Sequence, residues 1–207
     1  MISLYDHGFE KDVWYEIIIT TYSDEGSPHA AAMGCEVVDE QHLLLKPFTN
    51  TTTFKNLKER KQAVAHITHN PELFYKVVFK KELTFFHAAA VKAPVLIGAD
   101  AWVELEVEKI ELFDQHRANL VAKAIRAVQQ LAEPKPYSRA EHALIECLIH
   151  YTRVAVFANT SRHHEAVALS EKIREYVRLV KRVSRKPAHL LICDELLEAI
   201  DRLVGRR

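Results

Sequence analysis

Residues 47–57 read PFTNTTTFKNL and place the hydroxyls of Thr49, Thr51, Thr52 and Thr53 between two lysines, Lys46 and Lys55. A helix that begins at these threonines leaves its first backbone amides without internal partners. Such amides, with adjacent hydroxyls, suit a phosphate dianion. Ordinary capping by Asn50, Thr51 or Thr52 uses the same residues, so the cluster by itself leaves both readings open. The chain contains no GxxxxGK[ST] phosphate loop. A second candidate is HAAAMGCEVV, residues 29–38, with Ala30, Ala31, Ala32, Met33 and Gly34 in sequence. Side chains this small admit either a closely packed neighbouring strand or a flat ligand.

Histidines supply the remaining candidates. His66, His69 and His87 belong to the second half of the β-rich region. The spacing of His66 and His69 puts them on opposite faces of a strand, which argues against a metal pair. His142, Glu146 and His150 recur every four residues and share a helical face. Leu144, Ile145, Leu148 and Ile149 surround that row, so helix packing outweighs metal binding, and no metal is expected. The basic residues from Lys172 to Lys186 are interrupted by Glu175 and have no aromatic interleaving. They read as a solvated helix face rather than an RNA site.

These residues need elements to position them. Residues 13–22, VWYEIIITTY, are β-branched and aromatic and read as a strand. SDEGSP supplies a turn, residues 29–38 a returning strand, and His42–Lys46 a short strand. Thr53–Arg60 reads as a helix and Gln62–Thr68 as a strand. Asn70–Lys80 opens with Asn-Pro-Glu, a capped helix start. Glu82–Val91 reads as a strand or an extended lid. In AWVELEVEKIELF, residues 101–113, Val103, Leu105 and Val107 alternate with glutamates, but Ile110 and Leu112 fall in the opposite phase. That shift predicts a bulge near Glu108–Lys109, with the glutamates on a solvated face. From Asp114 the pattern reads as helical: Leu120, Val121, Ala124, Ile125, Val128 and Leu131 form one stripe. Ser138-x-x-Glu141 is a capping box for the next helix, and two further helices follow, the last over 188–204. Strands followed by helices give an α+β class.

The 207 residues, 48% hydrophobic, support one or two domains. Twenty-eight basic and 28 acidic residues balance to zero net charge, which argues against nucleic-acid binding. Cys35, Cys147 and Cys193 are widely spaced and form no metal-type pair; they read as reduced, buried thiols of a cytoplasmic protein. No signal-peptide or membrane-spanning run is evident.

The order EIIITTYSDEGSPHAAAMG, LLLKPFTNTTTFKNL, QAVAHITHNPELF resembles the FMN-binding split barrels. It is most similar to an uncharacterised, flavin-reductase-like branch (DUF447-like) of archaea and of bacteria with tetrahydromethanopterin-linked C1 metabolism. ALIECLIHYTRVAVF, with Glu146, His150, Thr152 and Arg153, resembles the helical motif of that branch. The resemblance implies a split-barrel domain over 1–113 and a helical subdomain over 114–207. It also implies FMN as cofactor, with the thymine-like edge of the ring near Ala32, Met33 and Gly34 and the phosphate at Thr49 and Thr51–Thr53. A homodimer follows from the same likeness. Two functions stay open: a flavin-dependent oxidoreductase acting on a small molecule, or a structural or interaction protein that keeps the fold. The sequence assigns no catalytic residue.

Overall fold

The computed structural model describes residues 2–11, 14–129 and 139–205. They form two compact units, one of residues 2–68 and 82–129, the other of residues 69–81 and 139–205.

The first unit is a closed six-stranded barrel. Its strands are β1 (Trp14–Tyr22), β2 (Pro28–Asp39), β3 (His42–Leu45), β4 (Gln62–Ile67), β7 (Ala101–Leu112) and β8 (Ala118–Gln129). Their order around the barrel is β1-β2-β3-β8-β7-β4, with every neighbouring pair antiparallel. Alternate side chains fill the interior: Ile17 and Ile19 from β1, Met33, Cys35 and Val37 from β2, Leu43 and Leu45 from β3. Ala63, Ala65, Ala118, Ala122 and Ala124 lie among them, so small and large residues share a narrow lumen. Helix α1 (Thr52–Arg60) packs on β1 and β2 and contributes Phe54 and Leu57 to this core.

The segment expected as strand or lid forms a hairpin of two short strands, β5 (Phe85–His87) and β6 (Pro94–Leu96). It covers the outer face of β4 and β7, where Val64 and Trp102 pack with Val91, Ala93 and Val95. Three fully buried polar side chains fasten it. Thr20 Oγ1 donates to the Pro94 carbonyl. His66 Nε2 accepts from Leu96 N–H at 2.8 Å. Glu104 accepts from Ala89 N–H at 3.3 Å and Ala90 N–H at 2.5 Å, and pairs with Arg126 at 2.9 Å. Glu104 therefore corrects the expectation of a solvated glutamate face, which holds for the exposed Glu106 and Glu108.

The predicted bulge is present: the β7–β8 register shifts between Val107 and Lys109. The helix expected from Asp114 is not. Residues 118–129 form strand β8, paired with both β3 and β7, and a boundary between residues 113 and 114 would fall inside one hairpin. A second register shift, between Glu104 and Leu105, leaves Ile125 as the extra residue of β8. The doublets Leu120–Val121 and Ala124–Ile125 thus imitate helical spacing on a bulged strand.

The second unit is helical: α2 (Pro71–Val78), α3 (Arg139–Phe157), α4 (His163–Val183) and α5 (Pro187–Val204). Asn70 caps α2 by accepting from Glu72 N–H at 3.0 Å, with Pro71 at the first helical position. The Ser138 capping box lies outside the described residues. Phe79 stacks on Tyr151 with ring centroids 4.9 Å apart, and Lys186 Nζ meets Glu72 at 2.5 Å. Among the described residues, no helix is long and apolar enough to cross a membrane.

Candidate functional site

Strand β3 ends at Leu45, and the chain then turns through Pro47 and Phe48 into α1. Thr51 is the N-cap. Its hydroxyl accepts from Phe54 N–H at 3.2 Å and donates to the Phe48 carbonyl at 2.7 Å. Thr49 Oγ1 donates to the Gln115 carbonyl at 3.2 Å. An open cleft of about 450 Å³ surrounds this start and is lined by Thr49, Asn50, Thr51, Thr52, Phe54, Lys55, Lys58 and Glu59. Capping and cleft lining coexist here, because the cap consumes the hydrogen of the Thr51 hydroxyl but leaves the first amides of α1 without helical partners.

The threonines divide between two environments. Thr52 is exposed in the cleft. Thr53 is 2% exposed, and its hydroxyl lies 3.0 Å from His29 Nε2. Asn56, also buried, donates to Thr21 Oγ1 at 2.9 Å. Thr21 and His29 are register partners on β1 and β2. A polar layer of four side chains therefore joins the inner side of α1 to the barrel end. Reasoning from sequence missed His29. Its signal was available, since it opens the same HAAAMG run that drew attention for its small residues.

Ala32, Met33 and Gly34 lie in β2 with opposed orientations. Met33 is buried in the barrel core. The outward row is Ala30, Ala32 and Gly34, all half-buried. β2 pairs with β1 along Pro28–Glu36 but with β3 only from Cys35 to Asp39. Among the described residues, no strand pairs with the other edge over residues 28–34. Alternate backbone N–H and C=O groups there face away from β1. A Cβ placed on Gly34 would sit 3.5 Å from the Trp14 ring and from Glu16 Oε1, an ordinary contact. The fold tolerates a side chain at this position, and its lack leaves the outer face open. Trp14 is 57% exposed, and Lys46 Nζ stands 4.4 Å from its ring centre while pairing with Glu36 at 3.1 Å.

The other candidates have structural explanations. His66 is buried between the Ile18 carbonyl, 3.0 Å from Nδ1, and Leu96 N–H; burial lowers its pKa to about 4, against a smaller opposing effect of Ile18. His69 belongs to the helical unit, its ring 6.3 Å from that of His142. His150 is half-buried and has a lowered pKa, chiefly from burial. No cluster of three or more His, Cys, Asp or Glu among the described residues could hold a metal ion. The three cysteines are free and buried. Burial, then Glu16 and Glu36, push the Cys35 thiol up to about 12, which makes it unreactive.

Two family models match the chain: the N-terminal domain of a protein of unknown function, DUF447, over residues 15–131, and DUF447 over residues 138–190. No curated protein matches it. The crystal structure of FMN-bound protein MM1853 from Methanosarcina mazei is similar, with 23% identity and a TM-score of 0.76. The alignment covers 95% of this chain and 99% of that one. Nitrilotriacetate monooxygenase component B from Bacillus cereus aligns with a TM-score of 0.50 at 14% identity, over 66% of this chain and 81% of that one. A homologue of that component from Mycobacterium thermoresistibile aligns with a TM-score of 0.50 at 16% identity, over 60% of this chain and 73% of that one. With both models matched in order across the barrel and most of the helical region, the chain belongs to the DUF447 family.

Proposed function

We propose that this protein binds FMN, with the phosphate at the start of α1 and the ring against the outer side of β2. The observation that carries this reading is the juxtaposition of a cleft lined by threonines, helix-start amides and lysines with a strand edge that, among the described residues, has no pairing partner over residues 28–34. The donor set fits a phosphate: Thr52 offers its hydroxyl, Thr52 and Thr53 offer helix-start amides, and Lys55 and Lys58 offer charge, while Thr49 and Thr51, whose hydroxyls donate to the Gln115 and Phe48 carbonyls, shape the cleft wall. Ala32 and Gly34 leave room for a planar group. Met33 contributes backbone only, because its side chain fills the barrel. FMN in the crystal structure of the family member MM1853 supports the choice of cofactor.

Bound FMN would supply two-electron redox chemistry, which the protein positions and tunes. The reaction class proposed is therefore oxidoreduction of a small molecule, by a homodimer. The test is titration of folded apoprotein with FMN and with riboflavin, followed by flavin fluorescence and calorimetry. One FMN per chain is expected, bound more tightly than riboflavin. No binding at roughly tens of micromolar, with circular dichroism showing a folded chain, rejects the reading in favour of an interaction protein. Equal affinity for both ligands rejects the phosphate assignment.

A further inference from the structure

The β5–β6 hairpin ends against a titratable pair that the phosphate and ring contacts leave unused. Tyr22 is an even-numbered residue of β1, and the even positions Ile18 and Thr20 lie on the outer side, where Thr20 reaches Pro94. Tyr22 pairs in register with Pro28, and Thr20 with Ala30. One strand spacing, about 5 Å, therefore separates Tyr22 from the row Pro28, Ala30, Ala32. The Tyr22 hydroxyl lies 2.9 Å from Nδ1 of His87, with the two rings 5.9 Å apart. His87 is exposed and Tyr22 half-buried, so the pair faces the open side.

Nothing about packing requires a histidine at an exposed hairpin end, yet its backbone is firmly held. Pro94, the register partner of His87, takes the Thr20 hydroxyl. Two and three residues beyond His87, the amides of Ala89 and Ala90 are bound by Glu104, itself fully buried. The hairpin is thus a fixed strap rather than a lid, and it sets His87 at the border of the small-residue face. The 2.9 Å contact lets the phenol O–H donate to an unprotonated Nδ1. In that tautomer the ring N–H is on Nε2.

We propose that the Tyr22–His87 pair is a hydrogen-bonding wall of the flavin site, in which His87 Nε2–H is held toward a planar ligand over Ala30 and Ala32 and Tyr22 fixes the tautomer. The inference rests on the FMN reading above. It goes further by assigning a proton-bearing group to the ring side of the site, opposite in role to the threonines on the phosphate side.

The experiment uses protein labelled with ¹⁵N-histidine at pH 8, with the His87 signals assigned from His87→Phe. In apoprotein the expected pattern is a protonated Nε2 and an unprotonated Nδ1, with the preference lost in Tyr22→Phe. Addition of FMN should move the Nε2 signal. His87→Phe should weaken FMN and riboflavin alike, by about two- to tenfold for one neutral hydrogen bond, and His87→Gln should recover part of the loss through its amide N–H. The exposed position lets both variants fold, which circular dichroism checks. A proton on Nδ1 overturns the inference. So does undiminished flavin binding by His87→Phe with an unmoved His87 signal, a result that leaves the FMN reading standing. Absence of FMN binding by the unaltered protein overturns both, and the titration separates that case from the other two.

Discussion

Replacing Glu104 with glutamine keeps the shape of the side chain and removes its charge, and the consequence can be worked from three bonds. The carboxylate accepts from Ala90 N–H at 2.5 Å, Ala89 N–H at 3.3 Å and Arg126 at 2.9 Å, on a residue with no exposed surface. All three partners are donors, so glutamine can satisfy one side with its oxygen and must turn an NH₂ toward another donor. Hydrogen bonds to a charged group contribute about 1.5–3 kcal/mol, and an unmet buried donor costs about 1–3 kcal/mol. With the longer Ala89 bond discounted, Glu104→Gln should destabilise the barrel by about 3 kcal/mol. Arg126 is half-exposed, so Arg126→Met should cost under about 1 kcal/mol. Trp102 is one of two tryptophans, is buried, and meets Phe86 of the strap edge-on at 5.6 Å. In a Trp14→Phe background its fluorescence reports urea unfolding of this unit alone. The pH dependence supplies a second check. Burial pushes the carboxyl up, but Ala90 N–H, Arg126 and Ala89 N–H together outweigh it and hold it below its usual value. A depressed folded-state pKa means that the stabilisation is complete above about pH 5 and is lost as pH falls through the folded value. Glu104→Gln should lack this component. A loss below about 1 kcal/mol, or an equal loss in Arg126→Met, would refute the view that the strap's backbone amides are what this carboxylate binds.

The division of the threonines predicts a matching division of effects: Thr52→Val should reduce the preference for FMN over riboflavin and leave the unfolding midpoint unchanged. Thr53→Val should cost about 1 kcal/mol through the lost His29 bond while leaving that preference nearly intact; paired titration and denaturation measurements check both. His66, with its pKa lowered to about 4 by burial, stays neutral in the fold while the unfolded chain takes up a proton below about 6.5. Barrel stability should therefore fall by about 3 kcal/mol between pH 6.5 and 4, and urea unfolding of His66→Gln should show a flatter profile across that window.

What could be read from sequence was what local pattern decides. The phase change between Val107 and Ile110 located the Glu108 bulge, and Asn70-Pro71-Glu72 located a helix start. Strand β8 was hidden because its inward row, Ala118, Leu120, Ala122 and Ala124, is mostly alanine and contrasts little with its outward row. The bulge at Ile125 then offsets the alternation. Pairing with β3 and β7, remote in sequence, overrides the helical propensity of those alanines. The face of Glu104 was legible, and its cover was not. Alternation places Glu104, Glu106 and Glu108 together, but only the first lies beneath the strap, whose course depends on Thr20, His66 and Gln62. At the site, the threonines and small residues were visible as types. Their orientation was not, because it depends on α1 sealing the barrel through Thr53 and Asn56 and leaving Thr52 outside.

One local event produces both halves of the candidate site. Leu43 and Leu45 point into the barrel, and β3 stops after Leu45 because proline at position 47 has no amide to continue the ladder. Its carbonyl still accepts from Ala118 N–H at 3.2 Å, so the chain stays attached to β8 as it turns. Stopping there leaves the β2 edge from Pro28 to Gly34 without a pairing strand among the described residues. The same departure carries Phe48 to an isolated bridge with Arg117 and starts α1 three residues after the Thr49 amide is taken by the His116 carbonyl. A longer β3 would close the strand edge and move the helix start away from it. The short strand is therefore the structural reason that the open cleft at the start of α1 and a strand edge unpaired among the described residues occur side by side in this barrel.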